Sequence, residues 1–219
     1  MNASHLLGKL TDRFHDLTPH KDFRNYVGMS GIGGCLFDLY MRAEHNIRPD
    51  DRLKWYGLTG QLHEAAVKRL LGLDADAMRT FLGYPTTDHE IIADFDDRYR
   101  GHYDAVLPYG TLIEIKSTNA HKFKRIRAST PDPKHVAQCQ AYMRHGNFDH
   151  AILVYICRDL HHRDLFRPAP PFWTIDVPRD EGLMEHLDEQ AQLVLAALDG
   201  DADLPTCTCG YCEMNWSVL

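Results

Sequence analysis

Apolar and polar positions repeat with two different periods along this chain, and the change from one to the other falls near residue 90. Residues 1 to 30 mix charged and apolar positions and are expected to be helical in part. CLFDLYMRAEH, residues 35 to 45, has helical spacing at Leu36, Leu39 and Tyr40. From Gly57 to Leu71 the pattern puts Leu58, Leu62, Ala65, Ala66 and Leu70 on one helical face, with His63 beside that stripe and Gly72 as the stop. From His89 three short β-branched or aromatic segments follow, HEIIADFD, YRGHYDAVL and TLIEIKS, read as a three-stranded meander. After Pro133, KHVAQCQAYMRHG is helical and closed by Gly146. AILVYIC (151–157) and PFWTIDV (171–177) are strands, and a helix runs from about Glu181 to Leu198. Pro-containing stretches near 129–133 and 167–171 are the expected linkers. The sequence has no internal repeat and no low-complexity segment.

The chemistry gathers on TLIEIKS. In a strand, Glu114 and Lys116 share one face while Ile113 and Ile115 point to the core. Asp104 on the preceding strand lies beside Glu114 across the hairpin, and two carboxylates about 5 Å apart repel unless a cation sits between them. Hard oxygen ligands suit Mg²⁺ or Mn²⁺, and the Lys116 ammonium could orient or deprotonate an attacking water. The bland alternative is a solvated sheet face with an ordinary ion pair. His63 could add a nitrogen ligand or be a packed or surface histidine. His135, Gln138 and Tyr142, at i, i+3 and i+7, share a helical face distinct from the apolar stripe of Val136, Cys139 and Met143, and a polar face with a tyrosine points to a ligand.

The helix with His63, then Gly101-His-Tyr-Asp104, Glu114-Ile-Lys116 and Gln138-x-x-x-Tyr142, in that order over most of the chain, resemble the RecB-like branch of the PD-(D/E)XK nucleases. The resemblance implies an α/β fold with a restriction-endonuclease-like core, a central mixed β-sheet flanked by helices. It implies that Asp104, Glu114, the backbone carbonyl of Ile115 and His63 bind a divalent metal, that Lys116 assists catalysis, and that the helix of Gln138 and Tyr142 supports the site and the DNA.

Six cysteines stand at 35, 139, 157, 207, 209 and 212, and the last three form CTCGYC. Disulfides are rare inside cells, so a metal centre is the better reading, and thiolates select zinc or an iron–sulfur cluster. Cys35 is the best fourth ligand to Cys207, Cys209 and Cys212, because Cys139 and Cys157 lie within apolar patterns where buried thiols are common. Such a centre would join the N- and C-terminal segments. One early cysteine and three late ones around a RecB-type core resemble the iron–sulfur nucleases, namely the AddB-type nucleases and the fourth CRISPR-associated (Cas) exonuclease family. The short chain, without helicase motifs, favours the latter, although Cys-x-Cys-x-x-Cys is tighter than that family's spacing. The resemblance implies [4Fe-4S], with zinc as the alternative.

Composition sets bounds. At 219 residues, with 44% hydrophobic and 25% charged positions, the chain fits one nuclease domain, its core at about 57–177 between segments 1–56 and 178–219. It has no run of about 18 apolar residues, and MNASHLLGKLTDRF lacks the apolar core of a signal peptide. A cytoplasmic protein of a bacterium, archaeon or phage-infected cell is expected, with no membrane partner. A net charge of −7 argues against coating nucleic acid by bulk electrostatics, so local charge decides. HKFKRIR supplies it: Lys122, Lys124, Arg125 and Arg127 could hold phosphates while Phe123 contacts a base, or form a solvated loop. The expectation is a metal-dependent exonuclease on single-stranded DNA ends, acting in recombination, phage DNA processing or CRISPR spacer acquisition, beside a recombination or CRISPR adaptation protein. A non-catalytic nucleic-acid-binding protein with a structural centre is the alternative. A redox iron–sulfur protein would leave the strand constellation without a role.

Overall fold

β-Branched and aromatic residues crowd the middle of the chain, and the strands they form carry the whole arrangement. The structure, a computed structural model, describes residues 26–45, 51–72, 90–107, 109–159, 171–207, 209 and 212. In chain order the elements are β1 (Val27–Gly28), a 3-10 turn (Met29–Gly31), α1 (Leu36–Glu44), α2 (Asp51–Leu70), β2 (Glu90–Ala93), β3 (Asp96–His102), β4 (Ala105–Leu107) and β5 (Thr111–Thr118). There follow α3 (Ala120–Ala128), α4 (Pro133–Gly146), β6 (His150–Cys157), β7 (Phe172–Pro178) and α5 (Glu181–Asp199). β4, β5, β6 and β7 form one mixed sheet in that order, and β1, β3 and β2 form a second. β5 and β6 are parallel, with Glu114 opposite Leu153 and Lys116 opposite Tyr155. Parallel neighbours need a long crossover, which α3 and α4 supply.

The expected meander is corrected by the second sheet. YRGHYDAVL is not one strand: β3 ends at His102, β4 starts at Ala105 in the other sheet, and Tyr103 and Asp104 form the bend between them. Close packing places the break. A Cβ on Gly101 would lie 2.6 Å from the Tyr142 ring and 3.0 Å from the Met29 Cβ, so only glycine lets β3 pass there. Asp104 then turns its carboxylate to the Ile115 N–H, which donates to Oδ2 at 2.6 Å.

Residues 1–25 fall outside the described residues, but 27–31 are strand and 3-10 turn, not helix, because Val27 and Met29 are fully buried and β1 pairs with β3. α2 begins earlier than expected, at Asp51, and Gly72 follows it with φ 69°, as a stop should. Its expected apolar face is wrong. Leu62 and Leu70 are 62% and 72% exposed, while Val67 packs with Ile113 and Ile115. The inward side also carries His63, Glu64 and Lys68, all part-buried, with Glu64 and Lys68 paired to each other.

Local capping fixes the other helices. Asp132 accepts from the Lys134 N–H and Pro133 opens α4, while Asn147, with φ 53°, closes it one residue beyond the expected Gly146. Ala137 to Met143 are all buried, so the expected division of α4 into a polar and an apolar face does not survive tertiary packing. α4 packs against α5, β2 and β6. α5 is capped by Asp180, which accepts from the Leu183 N–H, and ends at Gly200. The expected linker at 129–133 is the α3–α4 connection, while most of the one at 167–171 lies outside the described residues. One face of the β4–β7 sheet meets α3, α4 and α5 in the larger core cluster; the other meets α2 through Val67, Ala105, Ile113, Ile115, Val154 and Ile156. Among the described residues, no helix is long and apolar enough to cross a membrane.

Candidate active site and cysteine centre

Strand alternation on β5 sends Ile113 and Ile115 toward α2 and Leu112, Glu114 and Lys116 toward α4. The face carrying the acid is therefore not solvated: Glu114 is 1% exposed. Lys116 Nζ lies 2.6 Å from Glu114 Oε1 and donates to Gln138 Oε1 at 2.8 Å. Gln138 Nε2 donates to the Tyr142 hydroxyl at 3.0 Å, which donates in turn to the His102 carbonyl at 2.8 Å. A chain of hydrogen bonds thus runs from the lysine to the strand that ends two residues before Asp104. Glu114 Oε2 is buried and has no partner among the described residues.

Burial, then the charges of Glu114 and Glu64, push Asp104 well above the usual carboxylate range, against the Ile115 N–H and Lys116. Glu114 is raised by burial, with Lys116 opposing. Lys116 is raised too: burial acts against the ammonium, but Glu114 outweighs it. Two acids driven toward protonation, one with an orphaned oxygen, form a site that a divalent cation fits, since its charge would satisfy both.

α2 brings further groups. His63 Nδ1 donates to the Thr59 carbonyl at 2.7 Å, which leaves Nε2 as the ring's acceptor. Glu64, ion-paired with Lys68, acts electrostatically on both acids, and Lys68 acts on Glu114. The sequence reading missed this pair, although its i, i+4 spacing on the side opposite the leucines was there to be seen. Among the described residues Asp104, Glu114 and His63 do not converge as tightly as the four sulfurs described below.

HKFKRIR folds as α3, capped by Asn119, which accepts from the Lys122 N–H. The base contact expected of Phe123 is corrected: its ring is 5% exposed, packed in the core by the helical period. Lys122 is committed to Asp132 at 2.7 Å. Lys124, Arg125 and Arg127 remain on the outer side, with the Arg127 guanidinium 5.2 Å from the Trp173 ring centroid. His135 turns from any ligand to the Tyr155 hydroxyl at 2.8 Å, and burial with the nearby Lys116 lowers its pKa to about 4.

The cysteines come together as expected. The sulfurs of Cys35, Cys207, Cys209 and Cys212 all lie within 4.8 Å of one another, while Cys139 and Cys157 are buried in the core. Cys35 sits at the N-cap of α1, which packs on α5, and the chain after α5 returns to it. Sulfur separations are 3.9 Å (Cys35–Cys207), 3.7 Å (Cys207–Cys209) and 3.2 Å (Cys209–Cys212). Four thiolates around one zinc ion at 2.3 Å form a tetrahedron with edges of about 3.8 Å. In a cubane cluster each thiolate binds a different iron and the sulfurs stand farther apart.

No family model matches the chain, and no curated protein matches its sequence. Solved structures do match in fold. LHK-Exo in complex with dAMP aligns over 89% of this chain and 94% of its own, with 15% identity and a TM-score of 0.58. LHK-Exo is an alkaline exonuclease from Laribacter hongkongensis. The protein SSO0001 aligns over 90% of this chain and 88% of its own, with 15% identity and a TM-score of 0.55. The fold of this chain is the mixed α/β, restriction-endonuclease-like architecture of these structures.

Proposed function

We propose that this chain is a single-domain, divalent-metal-dependent DNA exonuclease that acts on single-stranded ends. The observation that carries the reading is Glu114: a buried carboxylate with one oxygen on Lys116 and the other without a partner among the described residues, next to Asp104 in the bend between β3 and β4. Asp104, Glu114, the Ile115 carbonyl and His63 Nε2 would hold Mg²⁺ or Mn²⁺, which when bound supplies an activated water and neutralises phosphate charge. Lys116, fixed between Glu114 and Gln138, would act on the attacking water or the scissile phosphate. Gln138 and Tyr142 are positioning residues that hold Lys116 from within the core and do not reach DNA. Lys124, Arg125 and Arg127 hold the strand's phosphates. The fold shared with an alkaline exonuclease supports the same class of reaction.

The cysteine centre clips the segment before α1 to the tail. Of zinc and [4Fe-4S], the sulfur spacing favours zinc. End processing in recombination, phage DNA metabolism or CRISPR spacer acquisition, in the cytoplasm and beside a protein of that pathway, is the setting we propose.

The test is cleavage of end-labelled single-stranded DNA with Mg²⁺ or Mn²⁺, beside a metal-free control. Nucleotides should be released from the end only with metal, and Asp104→Asn or Glu114→Gln should abolish release in folded protein. Full activity in either variant would falsify the assignment.

A further inference from the structure

Tyr56, near the start of α2, keeps 49% of its surface exposed, and the Arg158 guanidinium lies 5.2 Å from its ring centroid. Arg158 is itself exposed. Among the described residues it forms no ion pair, although acids outnumber lysines and arginines in the chain by 31 to 24. Neither side chain belongs to the core, so packing does not account for the pair. A flat ring beside an uncompensated planar cation offers what an unpaired nucleotide needs, a surface for the base face and a charge for the phosphate.

Two routes along the fold relate this pair to the acids. The Arg158 N–H donates to the Thr118 carbonyl at 3.0 Å. Thr118 is four residues beyond Glu114 on β5, hence about 13 Å away. On α2, Tyr56 precedes Glu64, whose charge acts on both acids, by eight residues, or about 12 Å along the axis. The exposed basic side of α3 starts directly after Thr118. Trp173 carries a similar cap from Arg127, but on β7, two strands from β5.

We propose that Tyr56 and Arg158 form a base-stacking step for the unpaired strand, holding one base within the first few nucleotides of the phosphodiester at Glu114. At about 3.4 Å per stacked nucleotide, 12 to 13 Å is three to four nucleotides, and fewer in an extended strand. The substrate class rests on the nuclease reading above; the stacking geometry does not.

The experiment uses the full chain and single-stranded oligonucleotides carrying 2-aminopurine, or an abasic residue, at successive positions from either end. Binding is read by fluorescence without added divalent metal, and cleavage with Mg²⁺. Quenching should peak at one position, vanish in Tyr56→Ala and persist in Tyr56→Phe and Tyr56→Trp. An abasic residue at that position should raise KM about 10-fold or more in the wild type and add nothing in Tyr56→Ala, because both changes remove one stacking contact. Quenching that is uniform along the strand, or an abasic penalty equal in wild type and Tyr56→Ala, overturns the proposal. A Tyr56-dependent quench without cleavage in Mg²⁺ or Mn²⁺ would instead leave the stacking step standing and remove the nuclease reading.

Discussion

Tyr142→Phe deletes one oxygen from the middle of the chain that runs from Lys116 through Gln138 to His102, and its consequences can be worked out bond by bond. The hydroxyl accepts from Gln138 Nε2 and donates to the His102 carbonyl. Gln138 is buried and cannot turn to water. One amide N–H is therefore left without a partner, at about 1–3 kcal/mol. The ring stays, and with it the packing that Gly101 makes room for, so no cavity cost is added. Gln138 is also the neutral acceptor that fixes Lys116, and once released from Tyr142 it can rotate and let the ammonium follow Glu114 alone. If Lys116 has the catalytic role proposed above, its displacement costs about 10- to 100-fold in rate. Urea unfolding should show the loss in midpoint with an unchanged slope, and single-turnover cleavage at saturating DNA should show the rate loss with little change in binding. A variant as stable as the wild type to within about 0.5 kcal/mol would refute the hydrogen-bond account, since surface changes already scatter that much.

Three further outcomes follow from the same geometry. Cys35→Ser and Cys212→Ser should each lose bound metal and lower Tm, whereas Cys139→Ser keeps the metal; one zinc per colourless chain by elemental analysis matches the sulfur spacing, and a brown, iron-loaded chain refutes it. Replacing Lys124, Arg125 and Arg127 together by alanine should reduce the salt slope of single-strand binding by up to about 2, at about 0.7 per phosphate contact. Lys122→Ala should leave that slope unchanged but destabilise the fold through Asp132, as salt titrations and melting curves would report. The third concerns His135. Its folded pKa is depressed to about 4 from 6.5, so the unfolded chain takes up the proton first. Its contribution is whole above pH 6.5 and is lost as pH falls toward 4, by up to about 3 kcal/mol, and His135→Gln should flatten the stability–pH curve across that window.

The strands were legible where side chains decide alone. β6 starts one residue before its expected bound and β7 is shifted by one residue, because runs such as AILVYIC need no outside information. Glu114, Lys116 and the cysteines were legible for a different reason, as rare residue types at fixed offsets. What escaped was set by neighbours far along the chain. The inward face of α2 carries Val67 together with His63, Glu64 and Lys68, while Leu62 and Leu70 lie outside against every rule of amphipathic patterning. The break at Tyr103 and Asp104 depends on Tyr142, about forty residues later, pressing on Gly101. Phe123 looked like a partner for bases until its helix turned it into the core, and the Tyr56–Arg158 pair joins residues with no shared pattern at all.

The cysteine centre closes a ring. Cys35 and Cys207 are 172 positions apart, and between them lie, among the described residues, both sheets except β1, together with the five helices. With an ion shared among the four sulfurs, the chain between Cys35 and Cys207 is topologically a loop. Closing a segment of that length removes about 5 kcal/mol of disorder from the unfolded chain on a simple cross-link estimate. A protease that cuts once in an exposed connection inside the ring would leave two pieces still joined through the metal, comigrating until a chelator parts them. The centre would act as a clasp, making survival of a nicked chain depend on metal supply.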